Sequence, residues 1–188
     1  MTDDAQRTTD PLLARAAANR GGRVWQYDGT KGTEGEVSEF IASLVHAVKP
    51  DVVVETGAFL GHTTHVIAAA LELNGRGHLH TVENDSEMIE QLRPQLPQRV
   101  TLHEADSSEW CERFEGPVDV AFVDSGPGRV RLDDVRALWP KITPGGYLTV
   151  HDTIYYKRLF ARVSDLVGVE GIEIRSLLGL GMWQKPAA

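Results

Sequence analysis

From residue 51 onward, two kinds of apolar pattern alternate along the chain. Short apolar runs rich in valine, isoleucine and leucine are typical of strands buried in a parallel sheet. Longer segments whose apolar residues recur every three or four positions are typical of amphipathic helices. The pattern predicts strands at 51–56, 78–83, 100–104, 118–124 and 146–151, and helices at 62–73, 85–93, 107–114, 130–139 and 155–167.

The end of the chain changes pattern. Two strand-like segments, at 172–178 and 181–185, flank Gly179 and predict a hairpin. Alternating strands and helices form a parallel sheet with helices on both faces, and a hairpin adds an antiparallel strand. We therefore predict an α/β fold: a doubly wound, mostly parallel seven-stranded sheet with a C-terminal antiparallel hairpin.

The first 33 residues precede this alternation. Asp10 and Pro11 predict the start of a short helix that ends near Asn19, and 22–32 reads as a glycine-rich loop. Thr33 and Glu36 have the spacing of a capping box for a helix over 34–48. We divide the chain into an N-terminal helix and lid segment, 1–33, and a single domain, 34–188.

The amino-acid composition argues against several classes of partner and site. The chain has 188 residues, a net charge of −8 and no Lys/Arg-rich run, which argues against nucleic acid as a partner. Its one cysteine, Cys111, excludes an internal disulfide and a cysteine-based zinc site. The polar N-terminus and the lack of a long apolar run lead us to expect a cytoplasmic protein without membrane contact.

The turn after the first strand is the most informative segment. Gly57 and Gly61 flank a strand-to-helix turn, where glycine permits close approach of a ligand to the backbone and the helix offers unpaired N–H groups. Glu55, just before the first glycine, would repel a pyrophosphate but favour an ammonium or sulfonium group. The segment therefore favours S-adenosylmethionine over a nicotinamide dinucleotide.

Acidic residues recur where the other predicted strands end. Ligands of such sheets bind at the carboxyl ends of the strands. Five strand ends carry an acid, and together they predict an electronegative rim suited to a cationic cofactor or a metal. These residues are Glu55, Glu83, Asp106, Asp124 and the pair His151-Asp152.

The segment 32–153 resembles class I S-adenosylmethionine-dependent methyltransferases, and within them the small O-methyltransferases of catechol and sugar type. The resemblance is carried by Glu55-Thr56-Gly57-Ala58-Phe59-Leu60-Gly61, Thr81-Val82-Glu83-Asn84, Asp106-Ser107, Phe122-Val123-Asp124 and the segment 144–153. It implies a Rossmann-like fold and a cofactor site made by Gly32, Thr33, Glu55, Thr56, Gly57, Phe59, Gly61, Thr63, Thr64, Glu83, Asp106, Ser107 and Asp124.

Several of these roles have a structural alternative. Glu83 suits the two ribose hydroxyls, or it helps Asp85 to start a helix. Asp106 suits the adenine amino group, or it caps the following helix, and both roles can coexist. Thr63 and Thr64 either cap their helix or bind the carboxylate of the cofactor.

A divalent metal is a further expectation. Asp124 and Asp152 end adjacent predicted strands, and neither 122–126 nor 149–153 contains a lysine or arginine to neutralise them. Two close carboxylates need a counter-charge such as Mg²⁺. The pairing resembles metal-dependent O-methyltransferases, although Thr153 stands where catechol-type members have an Asn ligand, and 125–128 lacks the His of sugar-type relatives.

The catalytic residues are predicted to be His151, Asp152 and Asp124. His151 either serves as a base or only orients the strand end. Trp25 or Tyr27 in the segment 23–32 is expected to close over the acceptor.

The predicted function is methylation of a hydroxyl on a small molecule or a sugar-containing metabolite, by a monomer or homodimer. The alternatives are a metal-independent N- or C-methyltransferase, an NAD-dependent oxidoreductase, and a non-catalytic cofactor-binding module.

Overall fold

The computed structural model describes residues 32–187. Its helices are α1 (Gly35–Val48), α2 (His62–Asn74), α3 (Ser86–Leu92), α4 (Ser107–Arg113), α5 (Gly128–Leu138) and α6 (Leu159–Val167). Its strands are β1 (Val52–Thr56), β2 (His78–Glu83), β3 (Val100–Glu104), β4 (Val118–Val123), β5 (Ile142–His151), β6 (Ile172–Ile174) and β7 (Leu180–Gln184). The predicted helix at 10–19 and the lid residues Trp25 and Tyr27 lie outside the described residues and stay predictions.

The seven strands form one sheet in the order β3-β2-β1-β4-β5-β7-β6. The five strands β1 to β5 are parallel, and β7 runs antiparallel to both β5 and β6. Helices cover both faces, because β1 and β4 are apolar on each side and need two layers to bury them. The predicted Rossmann-like sheet with an antiparallel end is confirmed.

Two apolar clusters fill the space between the sheet and the helices. On one face α1 and α2 pack on β1 and β4 through Ile41, Ile67 and Phe122, among others. On the other face α4, α5 and α6 pack through Cys111, Val135 and their neighbours. Cys111 is fully buried, as expected of a small apolar residue. No helix within residues 32–187 combines the length and apolarity needed to cross a bilayer.

The predicted starts of two elements are wrong for identifiable reasons. β5 begins at Ile142 rather than at 146, because an irregularity around Gly145, at φ 82°, lets the strand continue past the glycines. α6 begins at Leu159 rather than at 155, because Arg158, at φ 65°, has a left-handed conformation that an α-helix does not contain. The backbone N–H groups of Ile154 and Tyr155 donate to the Leu178 carbonyl.

The capping box predicted for α1 is also absent. Glu34 is the N-cap residue and makes no side-chain cap bond. The Thr33 hydroxyl instead donates to Asp124 Oδ2 over 2.7 Å. The start of α1 is thereby tied to the end of β4.

The strand register aligns the carboxyl ends of the central strands. Thr56, the last residue of β1, pairs with Val123 at the end of β4, and Val123 pairs with Val150 near the end of β5. Residues that follow these positions therefore meet at one edge of the sheet, where the candidate site lies.

Candidate active site

The turn after β1 is held by backbone bonds to both neighbouring strands. Gly57 N donates to Val82 O over 2.9 Å, and a Cβ on Gly57, at φ 85°, would lie 2.7 Å from the Asp124 carbonyl oxygen. Phe59 also has a positive φ, of 51°. Gly57 is therefore required for the close approach of β1 and β4 as well as for any approach of a ligand. Gly61, at φ 82°, is the N-cap residue of α2.

Glu55 is buried beneath this turn rather than on a rim. Its Oε2 accepts hydrogen bonds from the hydroxyls of Thr64, at 2.6 Å, and Thr81, at 2.7 Å. Its Oε1 is buried and accepts no hydrogen bond from the described residues. Burial raises the pKa of Glu55 to about 7, against the two hydroxyl bonds, which lower it. An unpartnered buried carboxylate oxygen suits a cationic ligand group.

Thr63 and Thr64 do not cap α2, which was one of the two roles that their sequence position suggested. The Thr63 hydroxyl lies 3.0 Å from Ser38 Oγ, between α2 and α1, and Thr64 donates to Glu55. Gly61 caps α2 without a side-chain bond. Both hydroxyls bond inside the protein, and their assignment to the cofactor carboxylate stays a prediction.

Glu83, at the end of β2, accepts three backbone hydrogen bonds. Its Oε2 accepts from Phe59 N over 2.7 Å, and its Oε1 accepts from Asn84 N at 2.8 Å and Asp85 N at 2.9 Å. Asp85, not Glu83, caps α3. Each carboxylate oxygen has two lone pairs, so Glu83 keeps acceptor capacity while it fixes the turn at Phe59.

Asp106 is the N-cap residue of α4, which is the structural role foreseen for it. Its Oδ1 accepts from the N–H groups of Ser108 and Glu109. The Ser107 hydroxyl, assigned to the cofactor from the sequence, donates to Asp134 Oδ1 over 3.0 Å. Burial raises the pKa of Asp134, opposed by hydroxyl bonds from serines that include Ser107.

A buried arginine joins the ends of β4 and β5. Arg131 Nη2 donates to Asp124 Oδ1 over 2.6 Å and to Asp152 Oδ2 over 2.7 Å. The guanidinium also bonds to the carbonyls of Asp124 and Gly126 and packs 5.2 Å from the Tyr156 ring centroid. The counter-charge of this pair therefore comes from α5, outside the segments 122–126 and 149–153.

His151 has both ring nitrogens engaged. Nδ1 lies 3.0 Å from Asp124 Oδ1, and Nε2 lies 2.5 Å from Glu34 Oε2. Burial alone would lower the pKa of His151, but the carboxylates of Asp124 and Asp152 raise it well above its ordinary value. His151 is then an imidazolium that donates from both nitrogens, and this arrangement leaves no nitrogen free to take a proton from a substrate.

Glu34 is a site residue that the sequence did not reveal. Its carboxylate is fully buried and accepts from His151, from Ser176 Oγ over 3.0 Å and from Leu178 N over 2.7 Å. Burial acts to raise the pKa of Glu34, but His151 and the Leu178 N–H lower it overall. Glu34 thereby connects the start of α1 to the loop between β6 and β7.

Asp124 and Asp152 differ in the hydrogen bonds that their carboxylate oxygens accept and in the direction of their pKa shifts. Burial acts to raise the pKa of Asp124, but His151, Arg131 and Thr33 lower it to about 2. Burial raises the pKa of Asp152 overall, although His151 and Arg131 oppose it. Within residues 32–187, Asp152 Oδ1 accepts no hydrogen bond and lies 3.6 Å from His151 Nδ1. Asp152, at φ 64°, therefore has one carboxylate oxygen, Oδ1, that accepts no hydrogen bond from the described residues.

Asp124, His151 and Asp152 are the residues that could hold a divalent metal. Ligand atoms of Asp124, His151 and Asp152 lie within 4.8 Å of one another, as a metal site requires. However, Arg131 bonds to both carboxylates, and His151 donates to one of them. A cation would have to displace the guanidinium and deprotonate the imidazole, so these residues in this arrangement do not fit one.

The sequence pattern of α5 could have indicated two further residues of the site. Arg131 and Asp134 lie on the buried side of the helix, together with Leu132, Val135 and Leu138. A charged residue in the apolar stripe of a helix has to find a buried partner. Glu34 had no such signal, because its partners come from the other end of the chain.

A family described as a methyltransferase domain matches residues 54–153, just over half of the chain. A ribosomal RNA small subunit methyltransferase A from Nitrosospira multiformis is 38% identical over 77 residues, which cover 39% of this chain and 28% of that protein. The chain thus spans about a quarter of the length of the curated relatives it matches.

Solved structures match over more of the chain. A putative O-methyltransferase from Klebsiella pneumoniae superposes with a TM-score of 0.71 and 19% identity, over 95% of this chain and 91% of that one. The O-methyltransferase TomG from Streptomyces achromogenes, solved with S-adenosylmethionine, has a TM-score of 0.68, 14% identity and full coverage of both chains. The chain therefore belongs to the methyltransferase domain family, and residues 54–153 form a class I S-adenosylmethionine-dependent methyltransferase domain.

Proposed function

We propose that this protein transfers the methyl group of S-adenosylmethionine to a hydroxyl of a small molecule or a sugar-containing metabolite. The observation that carries the proposal is Asp152, a carboxyl group at the carboxyl end of β5 with a raised pKa and an oxygen that accepts no hydrogen bond within residues 32–187. A base of raised pKa matches the task of removing a hydroxyl proton near neutral pH. The O-methyltransferases among the structural neighbours support the same reaction.

The cofactor would lie along the turn after β1. The buried, unpartnered Glu55 Oε1 suits its ammonium group, and Glu83 at the end of β2 suits its ribose hydroxyls. Asp106, which caps α4, is left to accept from the adenine amino group. Supporting this placement, Gly57 and Phe59 hold the backbone of the turn in a left-handed conformation.

The chemical step is a displacement at carbon. The acceptor oxygen attacks the methyl carbon, the carbon–sulfur bond breaks, and its electron pair goes to sulfur to give S-adenosylhomocysteine. The hydroxyl proton passes to Asp152. Since the sulfonium already activates the methyl group, the protein mainly aligns the acceptor and removes the proton. The proposed reaction uses no metal, because Arg131 bonds to the carboxylates that would hold one.

Product analysis tests the proposal. The protein would be incubated with methyl-labelled S-adenosylmethionine and a panel of phenols, alcohols, sugars and amines, and the labelled atom identified by mass spectrometry and NMR. We expect an O-methyl product, with kcat lower by roughly 100-fold or more in Asp152→Asn. The exposed Asp165→Asn in α6 is the matched control. Label found on nitrogen or carbon alone would overturn the proposal.

A second candidate is methylation of ribosomal RNA, which the partial match to three small subunit methyltransferases favours. The net charge of −8 disfavours it, because RNA binding relies on basic surfaces. A transcript of the small subunit RNA in the same labelling assay decides between the two. Label in the transcript at a rate above that for every small molecule would establish the second candidate.

A further inference from the structure

The Asp124–Asp152 pair is held together by a side chain of the protein itself. We infer that Arg131 is the permanent counter-charge of this pair, so that methyl transfer needs no divalent cation and Arg131 holds Asp152 in its working position. This inference rests on the proposed function for the role of Asp152, but its statement about cations does not. Arg131 is a positioning residue, because its contacts are with the two aspartates and the adjoining loop.

The Arg131 guanidinium contacts both aspartates and the adjoining loop. One nitrogen, Arg131 Nη2, reaches an oxygen of both aspartates, at 2.6 and 2.7 Å. Its other terminal nitrogen donates to the Gly126 carbonyl, and the guanidinium packs near the Tyr156 ring. The planar group is therefore fixed on several sides, in the way that suits arginine better than lysine.

The buried residues around Arg131 have nearly balanced charges. The buried cluster contains three carboxylates, those of Glu34, Asp124 and Asp152, and two cations, Arg131 and His151. With all five ionised, the cluster is within one charge of neutrality without a metal. A divalent cation would change the net charge of the cluster from −1 to +1, so the cluster comes no closer to neutrality by binding one.

Asp152 has an unusual backbone conformation. Its φ of 64° is the left-handed region, which a non-glycine residue adopts at a cost. The bond from Arg131 to Oδ2 holds the side chain in this position and leaves Oδ1 without a hydrogen bond from residues 32–187. Loss of Arg131 would then misplace the oxygen that accepts the proton.

The consequence is that removal of Arg131 should create a cation site. The variant Arg131→Met leaves two buried carboxylates and a histidine with ligand atoms within 4.8 Å of one another. We expect native protein to bind no Mn²⁺ at this place, as measured by electron paramagnetic resonance, and Arg131→Met to bind one equivalent. The double variant Arg131→Met/Asp152→Asn should lose that binding again.

Activity supplies the second readout. On the acceptor found by the labelling screen, native activity should survive exhaustive chelation. Arg131→Met should lower kcat by roughly 100-fold with unchanged affinity for S-adenosylmethionine, since misplacement by about 1 Å has an effect of that size. Arg131→Lys keeps the charge but not the planar fork, and we expect kcat to lie between the two. Arg129→Met, exposed on the same helix, is the control and should match native protein.

The possible results separate the two claims. One equivalent of Mn²⁺ on native protein that Asp152→Asn abolishes, or activity lost on chelation, would overturn the inference. A folded Arg131→Met that binds no Mn²⁺ would also overturn it. If Arg131→Met does not fold, the chelation result and the kcat of Arg131→Lys decide. Failure to find any methylated hydroxyl, with the Mn²⁺ results as expected, would count against the proposed function alone.

Discussion

Glu34 and His151 form a buried ion pair between residues 117 positions apart, with His151 Nε2 2.5 Å from Glu34 Oε2. Glu34 also accepts from Leu178 N, so one carboxylate connects the start of α1, the end of β5 and the loop before β7. The imidazolium in turn contacts Asp124. The position of the Asp124 carboxylate thus depends, through His151, on a residue next to the N-terminal segment.

Glu34→Gln should destabilise the protein strongly. The amide is neutral, so His151 loses the partner of its charge, and breaking a buried ion pair typically costs about 3 to 5 kcal/mol. Urea unfolding near neutral pH measures the free energy of unfolding. Glu39→Gln, exposed on the same helix, is the matched control. Equal unfolding free energies for the two variants would contradict the ion-pair assignment.

The backbone of this site was predictable from the sequence because it depends on local patterns. The apolar runs place β1, β4 and β5, and the acids at their ends meet because parallel strands end at one edge of a sheet. Asp124 and Asp152 were brought together in this way. The predicted bounds of β2 and β3 match the structure, and Gly77 and Arg99 directly precede the two strands.

The partners of those acids were not predictable from local patterns. Arg131 reaches Asp152 across 21 positions, and Glu34 reaches His151 across 117, so each pairing depends on the complete fold. The residues beside the aspartates in the sequence include no lysine or arginine, and that local pattern alone favours a metal. The internal partners of the Thr63 and Ser107 hydroxyls, Ser38 and Asp134, were equally hidden, because each lies more than 20 positions away along the chain.

Acid should destabilise the protein through two stacked histidines. His80 Nδ1 lies 3.0 Å from His103 Nε2, beside Trp110. Burial lowers the pKa of His80 to about 4, and burial also lowers that of His103. The folded state thus keeps His80 neutral, whereas the unfolded chain takes up a proton as the pH falls below about 6.5. Stability should fall as the pH drops from about 6.5 to 4.

The variant His80→Gln should show a shallower loss of stability over the same pH range, because it removes the group that the unfolded chain protonates. Thermal unfolding at intervals between pH 7 and pH 4 measures this slope. His46→Gln, exposed on α1, is the control. A slope in His80→Gln as steep as in native protein would rule out His80 as the source.

Glu83→Ala should weaken the binding of S-adenosylmethionine more than Glu87→Ala. The substitution removes a charged acceptor for the ribose hydroxyls, worth roughly 1.5 to 3 kcal/mol, and that corresponds to about 10-fold to 100-fold in Kd. It also removes the acceptor of the Phe59 N–H, which donates to Glu83 Oε2 over 2.7 Å in the native protein. Calorimetry measures both affinities, and Glu83→Gln shows how much depends on the charge. Equal affinities for the two alanine variants would refute the ribose assignment.

Glu55→Gln should make the apo protein less sensitive to pH. Burial raises the pKa of Glu55 to about 7 from its ordinary 4.5, so between these values the folded state holds a proton that the unfolded chain has released. Native stability from this group is present below about pH 4.5 and is lost as the pH rises through about 7. At about 1.4 kcal/mol per pKa unit, the loss is up to about 3 kcal/mol, and a glutamine, which does not titrate, avoids it.

The same variant should bind S-adenosylmethionine more weakly, because Glu55 Oε1 is the oxygen left for the ammonium group of the cofactor. Glu55→Gln should therefore lower the affinity for the cofactor and raise stability at pH 8, as expected where a buried acid serves function at a cost in stability. Urea unfolding at pH 5 and pH 8, with and without cofactor, measures both effects, and the exposed Glu90→Gln is the control. If the native and Glu55→Gln proteins lose the same stability from pH 5 to pH 8, Glu55 does not titrate in this range. If cofactor stabilises both equally, the ammonium lies elsewhere.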